Sequence, residues 1–332
     1  MTGDDRRTAL DAFGFTPRQA AFLETAMVHA GVCVPRQYAT FAGIVLGHTT
    51  RAFFQRLTTR RFATAYPCWQ GTARVYHIHH KALYRAIGEA DNRHRRPTTV
   101  ARAVERLMVL DAVLADPTTT WLATEEEKVQ HFVTVRGLDR TELPSVTFGR
   151  GAARTVRHFW HKRPIGLVTV GDRVVFLYIV TEPSGTDLRA FLDDHRPLLA
   201  RLPRWTLRLC VPTPLASATA VHERVFTEFV GPPLRPAVLE EFRWFCQTRH
   251  ALEARTGTLA PEDSARYRTA RHAFGAPRFY DAYRRWRQAG DTVFDAFRSP
   301  RLHDAWQRGD IRWDIHALPH QYLHLAPVVA TA

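Results

Sequence analysis

Residues 47–66, GHTTRAFFQRLTTRRFATAY, set arginines among large aromatics at a spacing that could do chemistry on a polyanion. On a 3.6-residue wheel, residues 48–61 place Phe53, Phe54 and Leu57 on one side and His48, Arg51, Ala52, Gln55, Arg56, Thr58 and Thr59 on the other. The second face carries guanidinium, amide and hydroxyl groups. These hydrogen-bond base edges and phosphates in a DNA major groove, with Arg bidentate to guanine and Gln to adenine. Arg51, Gln55, Arg56 and Thr59 are therefore expected to read bases, with His48 and Arg60 beside them. Arg60 and Arg61 would also complement the helix dipole. The competing reading is a solvated amphipathic face.

The neighbouring elements suit that task. FTPRQAAFLETAMVHAG opens with Thr16 as N-cap and Pro17 at the first helical position, repeats apolar Phe22, Leu23, Ala26 and Met27, and stops at Gly31. PRQYATFAGIVLG predicts a shorter helix, with Tyr38, Phe41 and Ala42 inward and Gly47 as its end. The basic helix follows at once. FATAY alternates as a strand, PCWQGTA supplies turn residues, RVYHIH is a second strand, and KALYRAIG a further helix. Helix, helix, helix, strand, turn, strand is the order of a winged helix-turn-helix, with Trp69 and Arg74 on or beside the wing. A basic loop bearing Arg93, Arg95 and Arg96 comes next, then a linker helix capped by Thr98 or Thr99 with Val104, Leu107 and Met108 inward. The loop would hold phosphates, which position a protein without reading sequence, or else remain solvated.

Charge points the same way. The 332 residues carry a formal net charge of +14, and residues 48–106 hold twelve Arg and Lys against three Asp and Glu, while residues 1–47 balance four against four. Nucleic acid is the usual partner of such a basic chain. Length suggests more than one domain. Cys33, Cys68, Cys210 and Cys246 lie far apart, which indicates neither a zinc ribbon nor a disulfide framework and fits a reducing cytoplasm. No apolar run approaches a membrane span, and MTGDDRRTAL lacks the core of a secretory signal. A cytoplasmic protein without membrane contact is expected.

From Pro144 the periodicity switches to two. PSVTFG, TVRHFW, IGLVTV and RVVFLYIVT are strand candidates, the last two joined at Gly171-Asp172, and VVFLYIV is apolar on both faces as a central strand should be. TDLRAFLDDHRPLLARLP predicts a helix and WTLRLCVP a returning strand, giving a mixed sheet with helices packed on it. This block, with the elements before it and Arg163-Pro164 opening its hairpin, resembles the replication-relaxation and mobilisation proteins of bacterial plasmids and integrative elements. The resemblance spans roughly residues 16–211 and implies a restriction-endonuclease-like second domain. That fold cleaves with an acid near the first hairpin strand, then an acid and a Lys or second acid two positions apart on the next, which hold magnesium and activate water. The matching positions here hold Ile165, Tyr178 and Val180, while Asp172, Glu182 and Asp187 fall at turns. The expectation is an inactive scaffold with no catalytic residue, used for DNA or partner contact.

YHIHHKALY offers a second enzymatic pattern: His77 and His79 on a strand, to bind a metal, with Tyr84 as nucleophile on phosphate. Two wing residues need no metal, and no further ligand pair has recognisable spacing. No cofactor or metal is expected. PAVLEEFRWFCQTRHALEA and PRFYDAYRRWRQAGDTVFDAF read as helices joined through the loop TGTLAPED, with Val238, Leu239, Phe242, Phe245, Cys246, Phe279, Tyr283 and Trp286 inward. Arg284, Arg285 and Arg287 would face outward, toward solvent, a nucleic-acid backbone or a second copy.

The expected architecture is thus α/β and multidomain: a winged helix-turn-helix over 15–90, a basic loop and linker helices over 91–135, an inactive α/β restriction-endonuclease-like domain over 144–230, and a mostly helical region over 231–332. The expected partners are double-stranded DNA, a homodimer mate and proteins of a replication or transfer machine. The expected activity is sequence-preferring DNA binding as an accessory factor or transcriptional regulator. A metal-dependent nicking nuclease and an adaptor that binds RNA or an acidic protein are the alternatives.

Overall fold

Proline punctuates the first helices, because its fixed φ suits a first helical turn whose amide would be unpaired anyway. The computed structural model describes residues 3–68, 73–151, 154–254, 260–320 and 322. A short helix α1 (Gly3–Asp11) precedes α2 (Pro17–His29). In α2 the Thr16 hydroxyl accepts the Gln19 amide at 3.4 Å while the Gln19 side chain accepts the Thr16 amide at 3.2 Å, a reciprocal cap. Its apolar stripe is buried at Phe22, Leu23, Ala26 and Met27. After β1 (Val32–Cys33) comes α3 (Pro35–Ala42), which stops before the Gly47 end expected from sequence. Gly43 takes the left-handed conformation, φ 64°, and its amide donates to Thr40 O at 3.2 Å, so the helix closes there. Phe41, expected inward, is instead 37% exposed and leans on Phe22 with ring centroids 5.6 Å apart.

Helix α4 (His48–Thr59) buries Thr50, Phe53, Phe54 and Leu57. Strands β2 (Ala63–Pro67) and β3 (Arg74–Ile78) form an antiparallel hairpin, and β1 adds to the far side of β3. Helix α5 (Lys81–Ala86) follows, then α6 (Val100–Leu114), whose cap is Thr99.

The larger sheet recruits strands from outside the segment expected to form it. Its order is β10-β9-β8-β7-β4. Strand β4 (Thr120–Leu122) lies before helix α7 (Glu125–Val129) and pairs antiparallel with β7 (Ile165–Val168). Gly166 makes that contact close: a Cβ there would lie 2.6 Å from Thr119 Cγ2 and 2.9 Å from the Trp121 ring. PSVTFG and TVRHFW form β5 (Ser145–Phe148) and β6 (Thr155–His158), a separate two-stranded ribbon. Central β8 (Arg173–Ile179) runs antiparallel to β7 and parallel to β9 (Trp205–Pro212), with α8 (Thr186–Arg201) as crossover. After α9 (Thr219–Phe229) come α10 (Pro236–Glu253), α11 (Pro261–Ala273), α12 (Pro277–Ala289), α13 (Asp295–Arg298) and α14 (Arg301–Gln307). The chain then returns as β10 (Ile311–Leu318), parallel to β9.

Two expectations change here. The mostly helical region over 231–332 also supplies the unexpected edge strand β10 from IRWDIHAL, and the expected TGTLAPED loop gives way to α11 at Pro261. Residues 236–294 do hold an aromatic core of their own around Phe242, Phe245, Phe279, Tyr283 and Phe294.

The supposed linker helix is the centre of the molecule. Seven of the fifteen α6 residues are buried: Val104, Leu107, Met108, Val109, Leu110, Ala112 and Val113. That is more than one face supplies, and both sides are covered. Helix α6 shares one apolar cluster with α2, α3 and α4 and with Leu177, Ile179, Cys210 and Leu318 of the large sheet. The opposite sheet face, Val174, Phe176, Tyr178, Leu207 and Leu209, packs under α8 and α9. Strand β8 is therefore covered on both faces, as its continuous apolar run requires. No helix among the described residues is long and apolar enough to cross a membrane.

A polar clamp closes the same layer. Arg36 donates two 2.7 Å bonds to the carboxylate of Asp111, Gln37 Nε2 adds a third at 3.0 Å, and the Tyr322 hydroxyl donates to Asp111 Oδ2. Asp111→Ala would leave a largely buried guanidinium and amide without their acceptor. It should lower stability by about 3 kcal/mol, read from the urea midpoint at unchanged slope.

Two histidines make stability pH-dependent. Burial, then the charge of His161, pushes His195 down to about 3, and burial pushes His29 down to about 4, against an ordinary value of 6.5. Above the ordinary value both are neutral whether folded or unfolded. Below it the unfolded chain binds protons that the folded chain refuses, so stability falls as pH drops from 6.5 toward the folded values. The expected loss by pH 5 is about 2 kcal/mol for each histidine. An unchanged melting midpoint between pH 7 and pH 5 would contradict it.

Candidate nucleic-acid interface

The outward face of α4 stands clear of the core because Phe53, Phe54 and Leu57 tie down its other side. Phe54 lies 4.3 Å from the Tyr76 ring of β3 and Phe53 lies 4.3 Å from the Tyr38 ring of α3, measured between centroids. The aromatics therefore lock α4 to both the preceding helix and the hairpin. His48, Arg51, Ala52, Gln55 and Thr59 are exposed. Arg74, from the first position of β3, is exposed beside them.

Two grooves flank the helix. One, of about 650 Å³, is lined by Arg51, Gln55, Arg61, Thr64, Arg74 and His79. The other, of about 610 Å³, runs between the α3–α4 turn and the hairpin, where Leu46, Thr50, Arg51, Phe54 and Arg74 meet. Arg51 and Arg74 line both. Neither has a carboxylate partner among the described residues, and residues 25–88 contain no Asp or Glu at all. That acid-free run was the sequence signal that would have added Arg61, Thr64 and His79 to the site. Trp69, expected on the wing, lies outside the described residues.

Not every arginine of the expected set faces outward. Arg56, expected to read a base, turns back onto the α1–α2 loop. Its Nη1 donates to Gly14 O at 2.9 Å, its Nη2 donates to Gln19 Oε1, and the guanidinium sits 4.7 Å from the Phe15 ring centroid. Position on a wheel distinguishes inward from outward, but cannot tell that a long side chain will find carbonyls of a neighbouring loop. Arg60 is engaged in the same way, donating to Phe13 O and lying 4.7 Å over the Phe62 ring. In the following loop, Arg95 donates to Ala90 O and Arg93 Nη2 to Lys162 O at 3.3 Å, whereas Arg96 is exposed. Burial, then the charge of Arg106, lowers Arg93 to about 10.

The enzymatic patterns meet a different environment. His77 is buried and its Nε2 lies 2.8 Å from His94 O, so this nitrogen carries the proton and donates. His79 Nε2 pairs with the Thr64 hydroxyl at 2.9 Å. Tyr84 is fully buried, its hydroxyl donating to Ile78 O at 3.3 Å and Met27 O at 3.4 Å, and burial pushes its ionisation far up. In the sheet, Ile165, Tyr178 and Val180 lie in the apolar core. Asp172 is held by Arg136, at 2.7 Å from Nη1 to Oδ2, and Glu182 accepts the Ser184 amide at 2.6 Å. Among the described residues no group of three or more His, Cys, Asp or Glu is placed to hold a metal ion.

No protein family, curated protein or solved structure matches the chain. The chemistry of the site therefore rests on its own geometry, which divides the arginines into anchors and free cations. Arg56→Ala should lower stability by about 1 to 2 kcal/mol through its lost hydrogen bonds, while Arg51→Ala should leave the melting midpoint unchanged. Thermal denaturation of the two variants side by side checks this division.

Proposed function

We propose that the chain is a sequence-preferring double-stranded DNA-binding protein in which residues 15–90 act as a winged helix-turn-helix. The order α2, β1, α3, α4, β2, β3 supports that reading, as does the sheet order β1-β3-β2. Helix α4 would enter the major groove, where Arg51 and Gln55 reach base edges and His48 and Thr59 flank them. Arg74 and the hairpin would follow the adjacent backbone as the wing, and Arg96 would meet phosphate.

The observation that carries the reading is a single one: the exposed, acid-free face of α4, with Arg51 and Arg74 lining its grooves and unpaired among the described residues. Cations left without partners beside a shape that admits a duplex are a field aimed at a polyanion. By the resemblance noted above, such a protein would serve a mobile element, as an accessory replication or transfer factor or a regulator of its genes.

Binding to fragments of the protein's own genomic neighbourhood, at near-physiological salt with excess random DNA, tests the reading. One fragment should be enriched. On that fragment Arg51→Ala should cost about 1 to 3 kcal/mol and relax the preferred sequence, with little change on random duplex. Equal losses on both would reduce Arg51 to a phosphate contact, and no binding to any duplex would overturn the function.

A further inference from the structure

A second set of cations gathers away from α4, where the basic loop, the start of α6 and the turn between β6 and β7 meet. Arg93 reaches across to the Lys162 carbonyl at 3.3 Å. Glu105 of α6 binds Arg163 at 2.5 Å, which draws the first turns of the helix against the same turn. Arg102 and Arg106 are four residues apart and share a helix face on either side of Glu105 in sequence. The turn itself is held in an unfavourable shape: Phe159 and Lys162 both have left-handed backbones, φ 50° and 64°, a conformation uncommon outside glycine. Phe159 is kept there by its stack on Phe132, with centroids 5.6 Å apart, and Lys162 is thereby presented to solvent.

These cations are short of counter-charge. No carboxylate pairs with Arg102, Arg106 or Lys162 among the described residues, and Arg106 Nη1 is a buried donor with no acceptor. Glu105 is taken by Arg163, and Glu125 by Arg157 at 3.5 Å and the His158 amide at 2.8 Å. An open groove of about 960 Å³ adjoins, where the cations Arg93, Arg96, Lys128, Arg157 and Lys162 face the carboxylates of Glu89, Asp91, Glu125 and Glu126. After burial, the positive charges of Arg93, Arg102, Arg106 and Arg157 all hold the Lys162 ammonium below its ordinary range. The N-terminus of fifteen-residue α6 adds its dipole to the same spot.

We propose that Arg93, Arg102, Arg106 and Lys162 form a phosphate site that holds the backbone of the same duplex beyond the segment contacted by α4. The inference rests on the DNA-binding reading above and extends it to the sheet half of the molecule. The loop that bears Arg93 and Arg95 is tied to β3, a wall of the α4 groove, by the 2.8 Å bond from His77 Nε2 to His94 O. A duplex long enough to reach the second site would gain contacts that carry no sequence information.

The test compares the full chain with the double variant Arg102→Gln, Lys162→Gln on two duplexes centred on the enriched sequence, of about one and about three helical turns. Both side chains are exposed and make no hydrogen bond among the described residues, so the melting midpoint should not move. The unaltered protein should bind the longer duplex about tenfold or more tightly than the shorter, and the variant should lose that gain. Its salt slope on the long duplex should become shallower by about 2, and its affinity for the short one should change less than about twofold. If the unaltered protein binds both lengths equally, or the variant keeps the gain, the second site is overturned while DNA binding by α4 stands. If neither duplex is bound, both fall. If inorganic phosphate at a concentration that leaves short-duplex binding intact abolishes the gain for the long duplex, the site takes phosphate as inferred.

Discussion

Everything in this molecule hangs on one helix buried from two sides. Helix α6 presents Leu107, Leu110 and their neighbours to both the N-terminal helices and the large sheet, so the apolar surface of each half is completed by the other. Removing a fully buried leucine of this kind costs about 2 to 5 kcal/mol, a large part of the stability of an ordinary domain. The Asp111 carboxylate, bonded to Arg36, Gln37 and Tyr322, fixes the direction in which α3 leaves that core. Because α4 is locked to α3 through the aromatic contact of Tyr38 and Phe53, its exposed face is held at a set orientation to the sheet. The two cationic surfaces are thus carried on one body, without a flexible joint between them.

The excess positive charge is divided by the same architecture. In the sheet half, arginines are mostly consumed by neighbours: Arg208 bridges Asp116 and Asp314 at 2.7 Å each, and Arg136 holds Asp172. These pairs, part-buried at Arg208 and exposed at Arg136, neutralise the field around them. Around α4 the opposite holds, since the segment has no acid to offer. Arginines there either turn onto backbone carbonyls, as Arg56 and Arg60 do, or have no partner among the described residues, as with Arg51 and Arg74. Carbonyl acceptors satisfy a guanidinium without cancelling its charge, so even the anchoring arginines keep the local potential positive.

The sheet half combines a covered, mixed sheet with an apolar core that takes up Ile165, Tyr178 and Val180. Tyr178 and Val180 are committed to the packing of α8, and exchanging them for acids would bury unpaired charge. What the sheet does supply is rigidity: it holds the β6–β7 turn, with its left-handed Phe159 and Lys162, against the first turns of α6. A strained turn persists only where its surroundings over-determine it, and here Phe132 beneath and Arg93 across do so.

Much of this was legible in the sequence because the signals were local. Thr16 with Pro17, the 3.6-residue stripe through Phe53, Phe54 and Leu57, and the unbroken apolar run of β8 each specify an element through contacts within a few residues or through a simple periodicity. The exposed positions on α4 followed from the same wheel. What required tertiary structure was pairing over long distances. IRWDIHAL alternates only weakly, and becomes a strand because β9 offers it an open edge about a hundred residues earlier in the chain. Helix α6 resembles a one-sided linker until a sheet covers its second face. The rotamer of Arg56 depended on where the carbonyl of Gly14 would lie, a choice no spacing records. The sequence by itself determined the capped N-terminal helices, the central strand β8 and where positive charge is concentrated. Only the packed fold decided which cations are spent on the protein and which stay exposed, because that depends on which acceptors non-local contacts bring within hydrogen-bonding reach.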